Sequence, residues 1–438
     1  MSAKPFHMAW FLQGSSAQAW GEAWTGHIGE SWMRPELFLN MARSLERACF
    51  DYILLEDSSY VGESFGGSTE VYLRNGLSVP RQDPSVVAAL MTQVTSRIGI
   101  VPTFGTYAYH PYLLARLVAT LDQVSGGRIG WNAVTGSSDF AAMNFGMQGM
   151  PEHDLRYDMA DEFMEVCNGL WDSWEPGAIV ADRASGVLVD HEKVHAVNYK
   201  GKYFQTRGPL NSGPAPQGRP VIAQAGGSPR GRKFAAAHAD TIVVNAKGFA
   251  AMKAYREDVH ANMQARGRNP ADCKILYLIN PILGETMAEA EARRDHRAKI
   301  SEARIVERLA HFGKVTNIDF GQFDLDKPLP DDVTTNGHQQ NLEQFRKLAK
   351  GRSIRQTMAS YNAVDLSIDL CGTPDSVAAQ MGEAMQEVGG DGFLFSMPNV
   401  NRRTLAEIED GLVPALQDRG LVRKAYEHEQ FRENLLAF

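Results

Sequence analysis

The stretch from 111 to 136, PYLLARLVATLDQVSGGRIGWNAVTG, decides the fold of this chain. Its first part carries apolar residues at helical spacing and ends at Gly126-Gly127, a pair typical of a helix terminus. A short, mostly apolar run over Ile129–Val134 follows at once and predicts a buried strand. A helix that leads directly into such a strand is the repeating unit of a parallel α/β fold.

The same alternation extends in both directions from this stretch. Helix starts are predicted at Asp83-Pro84 and Thr373-Pro374, where a capping side chain precedes a proline. The predicted strands are Phe6–Leu12, Tyr52–Leu55, Ile98–Val101, Ile129–Val134, Val221–Gln224, Thr241–Val244, Ile275–Ile279 and Phe393–Phe395. Eight strands alternating with helices favour a TIM (β/α)8 barrel over a doubly wound sheet, in a single α/β domain spanning 1–438.

Two long segments exceed a minimal barrel, at about 175–219 and 314–368. The first is rich in Gly, Pro and polar residues and has a hairpin-like piece around Tyr203-Phe204. The second is polar and lies between the seventh and eighth strands. Loops of this length are usually functional. We expect both insertions to leave the carboxyl ends of strands, where barrel active sites are built.

The composition argues against several classes of protein. With 44% hydrophobic and 22% charged residues, the 438-residue chain is typical of a globular enzyme. Its net charge of −8 provides no basic field for nucleic acid or anionic lipid. We expect no membrane span, since no run approaches about 20 apolar residues, and no signal peptide, since the N-terminus lacks a basic segment followed by an apolar run. The four cysteines are far apart, which predicts a cytoplasmic protein without a disulfide framework or a metal site.

A candidate anion site follows the fifth predicted strand, in the stretch QAGGSPRG at 224–231. Gly226 and Gly227 would let the backbone approach a ligand, and Ser228 would cap a helix that begins with proline. Free N–H groups at a helix N-terminus, together with a serine hydroxyl, can bind phosphate. From these residues alone, a plain capped helix after a tight turn explains the stretch equally well.

Polar side chains also follow or end the second and fourth predicted strands. Asn132 offers both a donor and an acceptor, which suits the edge of a heterocycle, although it could instead bond the backbone of its own loop. Asp57 comes directly after the second strand, and a helix cap or a surface ion pair is its alternative role. Strand alternation predicts that Glu56 points away from Asp57, which disfavours a site shared by the two acids.

Histidines and a tyrosine provide further candidates. His153 and Tyr157 are four residues apart in HDLRYD, so on a helix they would share a face and could both donate to a phosphate. His27 lies in a Gly-rich loop after the first strand, and His338 lies in the second insertion. Either could act as a general acid or base near neutral pH, and each could instead be structural or solvated.

Nine stretches, spread over nearly the full length, carry a family resemblance. They are TGHIGESWMRP, LERACFDYILLED, PYLLARLVATLDQVSGGRIGWNAVTG, FAAMNFG, HDLRYDMADEFMEV, LWDSW, GKYFQTRGPLN, PQGRPVIAQAGGSPRGRKFAAAHAD and CGTPDSVAAQM. By their number and order, the chain resembles the NtaA/SnaA/DszA family of bacterial luciferase-like, FMNH2-dependent two-component monooxygenases. Two departures are Glu56, where members usually have a small residue, and Gly136, which replaces a serine after the fourth strand.

The resemblance implies a TIM barrel with insertions that binds FMN, as FMNH2, at the carboxyl face of its strands. Some matching positions lie near the isoalloxazine ring, and others hold the phosphate and the ribityl chain. The implied cofactor-binding residues are Asp57, Thr103, Asn132, Ser137, His153, Tyr157, Gly227 and Ser228.

The resemblance also implies the reaction and the partners. We expect oxygenation of a small organic substrate containing nitrogen, sulfur or halogen, with O2 as co-substrate and cleavage of a carbon–heteroatom bond. A separate NAD(P)H:FMN reductase would supply FMNH2, and the chain would form a homodimer or homotetramer. His27 is the first candidate for the catalytic acid or base, and His338 is the second. The alternatives are a deazaflavin-dependent oxidoreductase of the same superfamily, a non-catalytic flavin-binding protein, and a cofactor-free barrel hydrolase or lyase.

Overall fold

Eight parallel strands form a closed barrel at the centre of the computed structural model, which describes residues 4–12, 26–27, 29–361, 367–397 and 401–438. The strands of the chain are β1 (His7–Leu12), β2 (Tyr52–Leu55), β3 (Gly99–Gly105), β4 (Gly130–Val134), β5 (Ile179–Asp182), β6 (Val187–Val189), β7 (Tyr199–Lys200), β8 (Gln205–Thr206), β9 (Val221–Gln224), β10 (Thr241–Val244), β11 (Lys274–Ile279), β12 (Ile282–Leu283), β13 (Cys371–Gly372) and β14 (Gly392–Phe395). The order around the barrel is β1-β14-β11-β10-β9-β4-β3-β2. The predicted barrel is confirmed, and each predicted strand overlaps an observed one.

Helices alternate with the barrel strands and cover their outer face. They are α1 (Glu36–Arg47), α2 (Glu70–Arg74), α3 (Pro84–Thr92), α4 (Pro111–Ser125), α5 (Asp139–Asn144), α6 (His153–Trp171), α7 (Pro229–His238), α8 (Phe249–Gln264), α9 (Met287–Ala303), α10 (Ile305–Thr316), α11 (Gln339–Leu348), α12 (Ile354–Ser360), α13 (Pro374–Val388), α14 (Arg402–Ala406), α15 (Val413–Asp418) and α16 (Phe431–Leu435). A π-helical segment, Glu407–Leu412, joins α14 to α15. Among the described helices, none is long and apolar enough to cross a membrane.

The predicted helix starts are confirmed in atomic detail. The carboxylate of Asp83 accepts the backbone N–H of Ser85 at 2.8 Å, with Pro84 as the first helical residue of α3. Thr373 caps α13 in the same way, accepting the N–H of Ser376 at 3.3 Å. The predicted helix end is also observed, since α4 stops at Gly126, whose φ of +71° favours glycine.

The C-terminal helix closes the amino end of the barrel. The ring of Phe431 in α16 lies against Gly99 and Gly130 at the starts of β3 and β4. A Cβ on Gly99 would lie 2.6 Å from this ring, so the absence of a side chain there lets the phenylalanine enter. Among the described residues, Phe431 therefore fills the amino end of the barrel, which directs attention to the carboxyl ends of the strands.

The first insertion departs from the prediction. It follows the end of α6 and precedes β9, so it leaves from the amino-end side, and the expectation that it leaves a strand's carboxyl end was wrong. It contains two antiparallel pairs, β5 with β6 and β7 with β8, which includes the hairpin expected around Tyr203-Phe204. The carboxylate of Glu162 in α6 holds this hairpin by accepting backbone N–H groups of Lys202, Tyr203 and Phe204.

The second insertion does leave the carboxyl end of a strand, since it lies between β11 and β14. It is more helical than predicted, because α10 begins at Ile305, before the expected boundary at 314, and α11 and α12 follow. We refer to residues 305–361 as the helical insertion. Its buried side chains form a cluster of their own, distinct from the barrel core and centred on Phe312, Phe345 and Tyr361.

Candidate active site

Unpaired buried polar atoms mark the carboxyl end of the barrel. Four of them are Asn132 Oδ1 in β4, Gln224 Oε1 at the end of β9, Asn245 Oδ1 after β10 and Ser396 Oγ after β14. Within the described ranges, none of these atoms has a hydrogen-bond partner. Leaving such an atom buried and unpaired costs about 1–3 kcal/mol, so this arrangement favours a polar ligand that supplies the missing partners.

Asn132 and Thr103 form one unit of this end. They face each other in the register of β4 and β3, and the amide Nδ2 of Asn132 donates to Thr103 Oγ1 at 2.8 Å. Both side chains are buried. This hydrogen bond fixes the amide and leaves its oxygen as a free acceptor, which suits an N–H donor of a ligand.

Asp57 and Glu56 are brought together rather than separated. Arg81 Nη2 donates to Glu56 Oε2 at 3.0 Å, and Arg81 Nη1 lies 3.9 Å from Asp57 Oδ1. The predicted opposite orientation was wrong because both acids lie beyond the last residue of β2, where strand alternation no longer applies. Burial raises the pKa of Asp57 to about 6, with Arg81 opposing the rise and Glu56 adding to it.

The N-termini of α6 and α7 meet in a structure that we call the cradle, made of His153, Tyr157, Gly227, Ser228 and Gly231. Ser228 caps α7, and its Oγ accepts the N–H of Gly231 at 3.0 Å. A Cβ on Gly231 would lie 2.7 Å from the hydroxyl of Tyr157, which shows how closely α6 approaches this helix end. The shared face of His153 and Tyr157 is confirmed, since their rings lie 5.2 Å apart in α6.

The cradle is held by ion pairs on its outer side. Arg230, the second residue of α7, donates to Asp158 at 2.9 Å and to Asp161 at 2.6 Å, both in α6. Its guanidinium also lies 5.5 Å from the centre of the Tyr157 ring. These contacts fix α7 against α6 and leave the inner face of the cradle, with Tyr157 and Ser228, for a ligand.

The loop after β4 explains one departure from the family pattern. Gly136 has a φ of +81°, and a Cβ there would lie 2.6 Å from Met150 and 2.8 Å from Tyr107. A serine at this position would therefore strain the backbone and collide with both side chains. Ser137, predicted to bind the cofactor, follows in the same loop and is half-buried.

The two histidines predicted as acid or base lie in different surroundings. The side chain of His27 is 87% exposed, and its Nδ1 lies 3.4 Å from the carboxylate of Glu30. His338 precedes α11, and its backbone N–H donates to Val315 O at 3.1 Å. Its imidazole keeps accessible surface, yet desolvation, together with Arg156 and His153, lowers its pKa. Both histidines are therefore exposed, but only His338 lies close to the cradle, beside Arg156 and His153.

A lysine that the sequence reasoning missed lies opposite Asp57. Lys314 in α10 is only 4% exposed, and its Nζ donates to Ser58 Oγ at 3.0 Å. The same Nζ lies 5.0 Å from the centre of the Tyr60 ring, whose hydroxyl donates to Lys314 O at 3.0 Å. Burial lowers the pKa of Lys314 to about 8, while Glu56 opposes that change.

His311 lies one helical turn before Lys314, and desolvation lowers its pKa to about 4. We call Glu56, Asp57, Arg81, His311 and Lys314 the acid–base cluster. One signal could have indicated it. Lys314 falls on the apolar side of the run IVERLAHFGKVT, and a lysine at such a position is seldom without a function.

Comparisons with known proteins agree with this geometry. A family model described as luciferase-like monooxygenase matches residues 10–392. A dibenzothiophene-sulfone monooxygenase of Rhodococcus erythropolis (strain XP) is 34% identical over 99% of this chain and 96% of its own. Component A of a nitrilotriacetate monooxygenase from Aminobacter aminovorans is 33% identical over 91% of this chain and 89% of its own.

Solved structures show the same relationship. A riboflavin lyase crystallised with modified FMN and riboflavin superimposes with a TM-score of 0.89 at 29% identity, covering 99% of this chain and 96% of that one. Two coenzyme F420-dependent enzymes reach TM-scores of only 0.59 at 15% identity, so they share the fold alone. The family match and the full-length relatives together show that the chain belongs to the luciferase-like monooxygenase family and is a flavin-dependent monooxygenase.

Proposed function

We propose that this chain is the oxygenating component of a two-component system and that its flavin is FMN, bound in the reduced form. The observation that carries the proposal is the continuity of the polar groups at the carboxyl end of the barrel. They run from Asn132 and Thr103 in the barrel mouth, past the hydroxyl of Tyr157, to Ser228 at the start of α7. The polar groups of flavin mononucleotide follow the same spatial order, with a ring edge at one end and a phosphate at the other.

The residues present fit FMN at both ends. The free Oδ1 of Asn132 would accept from a ring N–H, and Thr103 holds its amide in place. At the other end, the N-terminal N–H groups of α7 and the hydroxyls of Ser228 and Tyr157 would hold the phosphate. The lack of a side chain at Gly227 makes room for Gln340, whose side chain a Cβ there would overlap, and we propose that the backbone of Gly227 also approaches the phosphate. We propose that Asp57, Ser137 and His153 complete this set.

Reduced FMN would activate O2, and the protein would orient the reactants, exclude water and supply protons. The helical insertion covers the acid–base cluster, since Lys314 is buried there against Ser58 and Tyr60. Exclusion of water favours transfer of oxygen to the substrate over release of hydrogen peroxide. Asp57, with a pKa of about 6, and Lys314, with a pKa of about 8, can each hold or release a proton near neutral pH.

His338 and His27 stay candidates for the acid or base that acts on the reacting group. Support for His338 comes from its place beside His153 and Arg156, where its lowered pKa keeps the imidazole neutral and able to accept a proton. His27 has less support, because its side chain is exposed and paired with Glu30. Most of the loop that precedes it, residues 13–25, lies outside the described residues.

We propose that the substrate is a small organic molecule with nitrogen, sulfur or halogen, cleaved at a carbon–heteroatom bond. The two relatives described above act on a sulfone and on an aminopolycarboxylate, which supports this class. The "component A" in the name of one relative supports a separate NAD(P)H:FMN reductase as partner. We further propose a homodimer or homotetramer in the cytoplasm, consistent with four free cysteines.

Anaerobic titration with FMNH2, followed by mixing with oxygenated buffer, tests the proposal. We expect saturable binding of one reduced flavin per chain, weaker binding of oxidised FMN, and no oxidation of NAD(P)H without an added reductase. Hydrogen peroxide release should fall when a substrate from a panel of sulfones, sulfonates, amines and organohalides is present. Absence of FMNH2 binding, or binding of reduced F420 in its place, would contradict the proposal.

A further inference from the structure

A small cavity near the carboxyl end of β11 is not used by the proposed cofactor site. It has a volume of about 70 Å³ and lies among the loop after β11, helix α9 and the segment after β14. Its wall combines apolar side chains with charged ones. The lining residues that matter here are Leu283, Met397, Ile408, Arg293, Arg297 and Glu407.

Arg297 has far more donors than partners. In the described part of the chain, its one hydrogen bond runs from Nη1 to Asn280 Oδ1 at 3.1 Å. Asn280 directly follows β11, so this contact ties the guanidinium to the carboxyl end of the barrel. Among the same residues, no carboxylate lies within ion-pair distance of Arg297. Desolvation lowers its pKa, and no carboxylate of the described residues opposes this change.

The other charged groups of the cavity are already neutralised. Glu407 accepts from Arg293 at 2.9 Å and from Arg403 at 3.1 Å. Arg293 also pairs with Glu289 at 2.7 Å. The carboxylate of Glu407 is therefore shared by two arginines. Arg297 is left as a half-buried cation whose counter-charge is missing, and a guanidinium retains its charge at every physiological pH.

We infer that Arg297 binds an oxyanion of the substrate, so that the substrate class is a small organic acid bearing a carboxylate, sulfinate or sulfonate. The inference rests on the proposed monooxygenase function and specifies its substrate. A guanidinium presents a planar pair of N–H donors that matches the two oxygens of such a group. Leu283, Met397 and Ile408 provide an apolar wall for the carbon atoms next to it.

The phosphate of FMN is the other oxyanion that could reach Arg297, and the strand order argues against it. The cradle follows β9, whereas Arg297 is tied to β11, and β10 lies between these two strands in the barrel. The cradle, our proposed phosphate site, already combines a helix N-terminus with two hydroxyls. The two positions can therefore bind separate anions at the same time.

Titration with methanesulfonate and with acetate, without flavin, tests the pocket by itself. We expect binding to the native protein that weakens at least tenfold in Arg297→Met and less in Arg297→Lys, which keeps the charge but loses the fork. Arg294→Met is the matched control, because Arg294 is exposed on the same helix, and it should bind as the native protein does. Selenate soaked into crystals should give a peak at Arg297 that is absent from the Arg297→Met crystals.

Different results would overturn the Arg297 inference and the proposed monooxygenase function. Anion binding that Arg297→Met leaves unchanged, or no selenate at Arg297, would overturn the inference even if FMNH2 binds. Loss of FMNH2 affinity in Arg297→Met would also overturn it, since the guanidinium would then serve the cofactor phosphate. Failure of the native protein to bind FMNH2, with anion binding at Arg297 intact, would refute the proposed function and leave the oxyanion pocket standing.

Discussion

The cradle and the acid–base cluster lie on the same face of the barrel but are built by different means. The cradle is formed by two short pieces of sequence, at 153–157 and 227–231, and apart from His153 its contacts with the proposed ligand are neutral hydroxyls and backbone N–H groups. The cluster joins residues 56–81 to residues 311–314 and consists of ionisable groups in a desolvated place. One region relies on local geometry, and the other on charges brought together by the whole fold.

This difference predicts how the two regions respond to mutation and to pH. A helix cap works wherever the helix forms, so loss of a cradle group should alter ligand affinity with little pH dependence. A buried ionisable group links protonation to folding, so a change in the cluster should alter the pH dependence of stability. Each prediction below tests whether the two regions can be separated in this way.

The largest effect is expected from Gly231→Ala. Its Cβ would lie 2.7 Å from the Tyr157 hydroxyl and 3.1 Å from Ser228 Oγ, so both cradle groups must move. Overpacking of this kind costs about 1–3 kcal/mol, and we expect FMNH2 affinity to fall close to a hundredfold in an anaerobic titration.

Gly411→Ala is the control for this substitution, because the nearest atom to a Cβ at Gly411 lies at 3.4 Å, in ordinary contact. It should bind FMNH2 as the native protein does. Equal affinity of Gly231→Ala and the native protein would show that the cradle does not hold the cofactor.

Next in size is the effect of Lys314→Met on stability. The unfolded chain holds this proton up to the ordinary pKa of 10.5, whereas the folded chain holds it only up to about 8. Between these values the unfolded state binds more protons, so native stability rises with pH. Below pH 8 the full penalty of a buried ammonium is present, and the methionine removes it. We expect the variant to be about 2 kcal/mol more stable at pH 7, as measured by urea unfolding.

The pH dependence makes this test specific. The gain in Lys314→Met should shrink as the pH is raised from 8 towards 10.5, because the native lysine then loses its proton. Lys350→Met, a change on an exposed side chain, should stay within about 0.5 kcal/mol of the native protein at every pH. A loss of stability in Lys314→Met at pH 7 would mean that the ammonium is well solvated or paired.

Ser228→Ala should have a smaller effect on binding than Gly231→Ala. Removing the hydroxyl deletes both the cap of α7 and one proposed phosphate donor, and we expect about a tenfold loss of FMNH2 affinity. Thr373→Ala is a close control, because Thr373 caps α13 with the same φ of −71° and ψ of 157° and is followed by proline. Both variants should lose about 1 kcal/mol of stability. If both also lost affinity equally, the effect would be structural.

Asp57→Asn should give the smallest effect. The folded carboxyl has a pKa of about 6 against an ordinary 3.8, so between these values the folded state binds more protons and stability falls as pH rises. The penalty is complete above pH 6. Because the side chain is 27% exposed, we expect the amide to raise stability there by only about 1 kcal/mol in urea unfolding.

Glu409→Gln is the control for Asp57→Asn, because it changes the pH dependence of stability at a site away from the proposed cofactor. Burial raises the pKa of Glu409 to about 7, and Glu409 lies in the π-helical segment after α14, so it belongs to neither the cradle nor the acid–base cluster. Replacing the Glu409 carboxyl by an amide should also reduce the decrease in the free energy of unfolding between pH 4.5 and 7. Only Asp57→Asn should change how FMNH2 affinity varies with pH, and a matching change in Glu409→Gln would refute a direct role for Asp57.

The barrel and the cradle could be predicted from the sequence because their signals are local. Apolar runs, Gly126 and the capped prolines at 84 and 374 each fix structure within a few residues. The acid–base cluster could not be predicted in this way. Lys314 meets Ser58 across 256 positions, and no spacing rule joins them. The alternation rule failed for Glu56 because the strand had already ended at Leu55.

The separate hydrophobic core of the helical insertion has a consequence for how this protein can change over evolutionary time. Phe312, Phe345 and Tyr361 pack mainly with one another, and two tyrosines, Tyr60 and Tyr72, reach across to the backbone of α10. Mutations inside that core can therefore accumulate, and its helices can tilt or be exchanged as a block, without disturbing the strands that carry Asn132. A lineage with this architecture can explore new substrates by drift in the core of this module, provided that Lys314 keeps its place against Ser58, while the barrel strands stay unchanged.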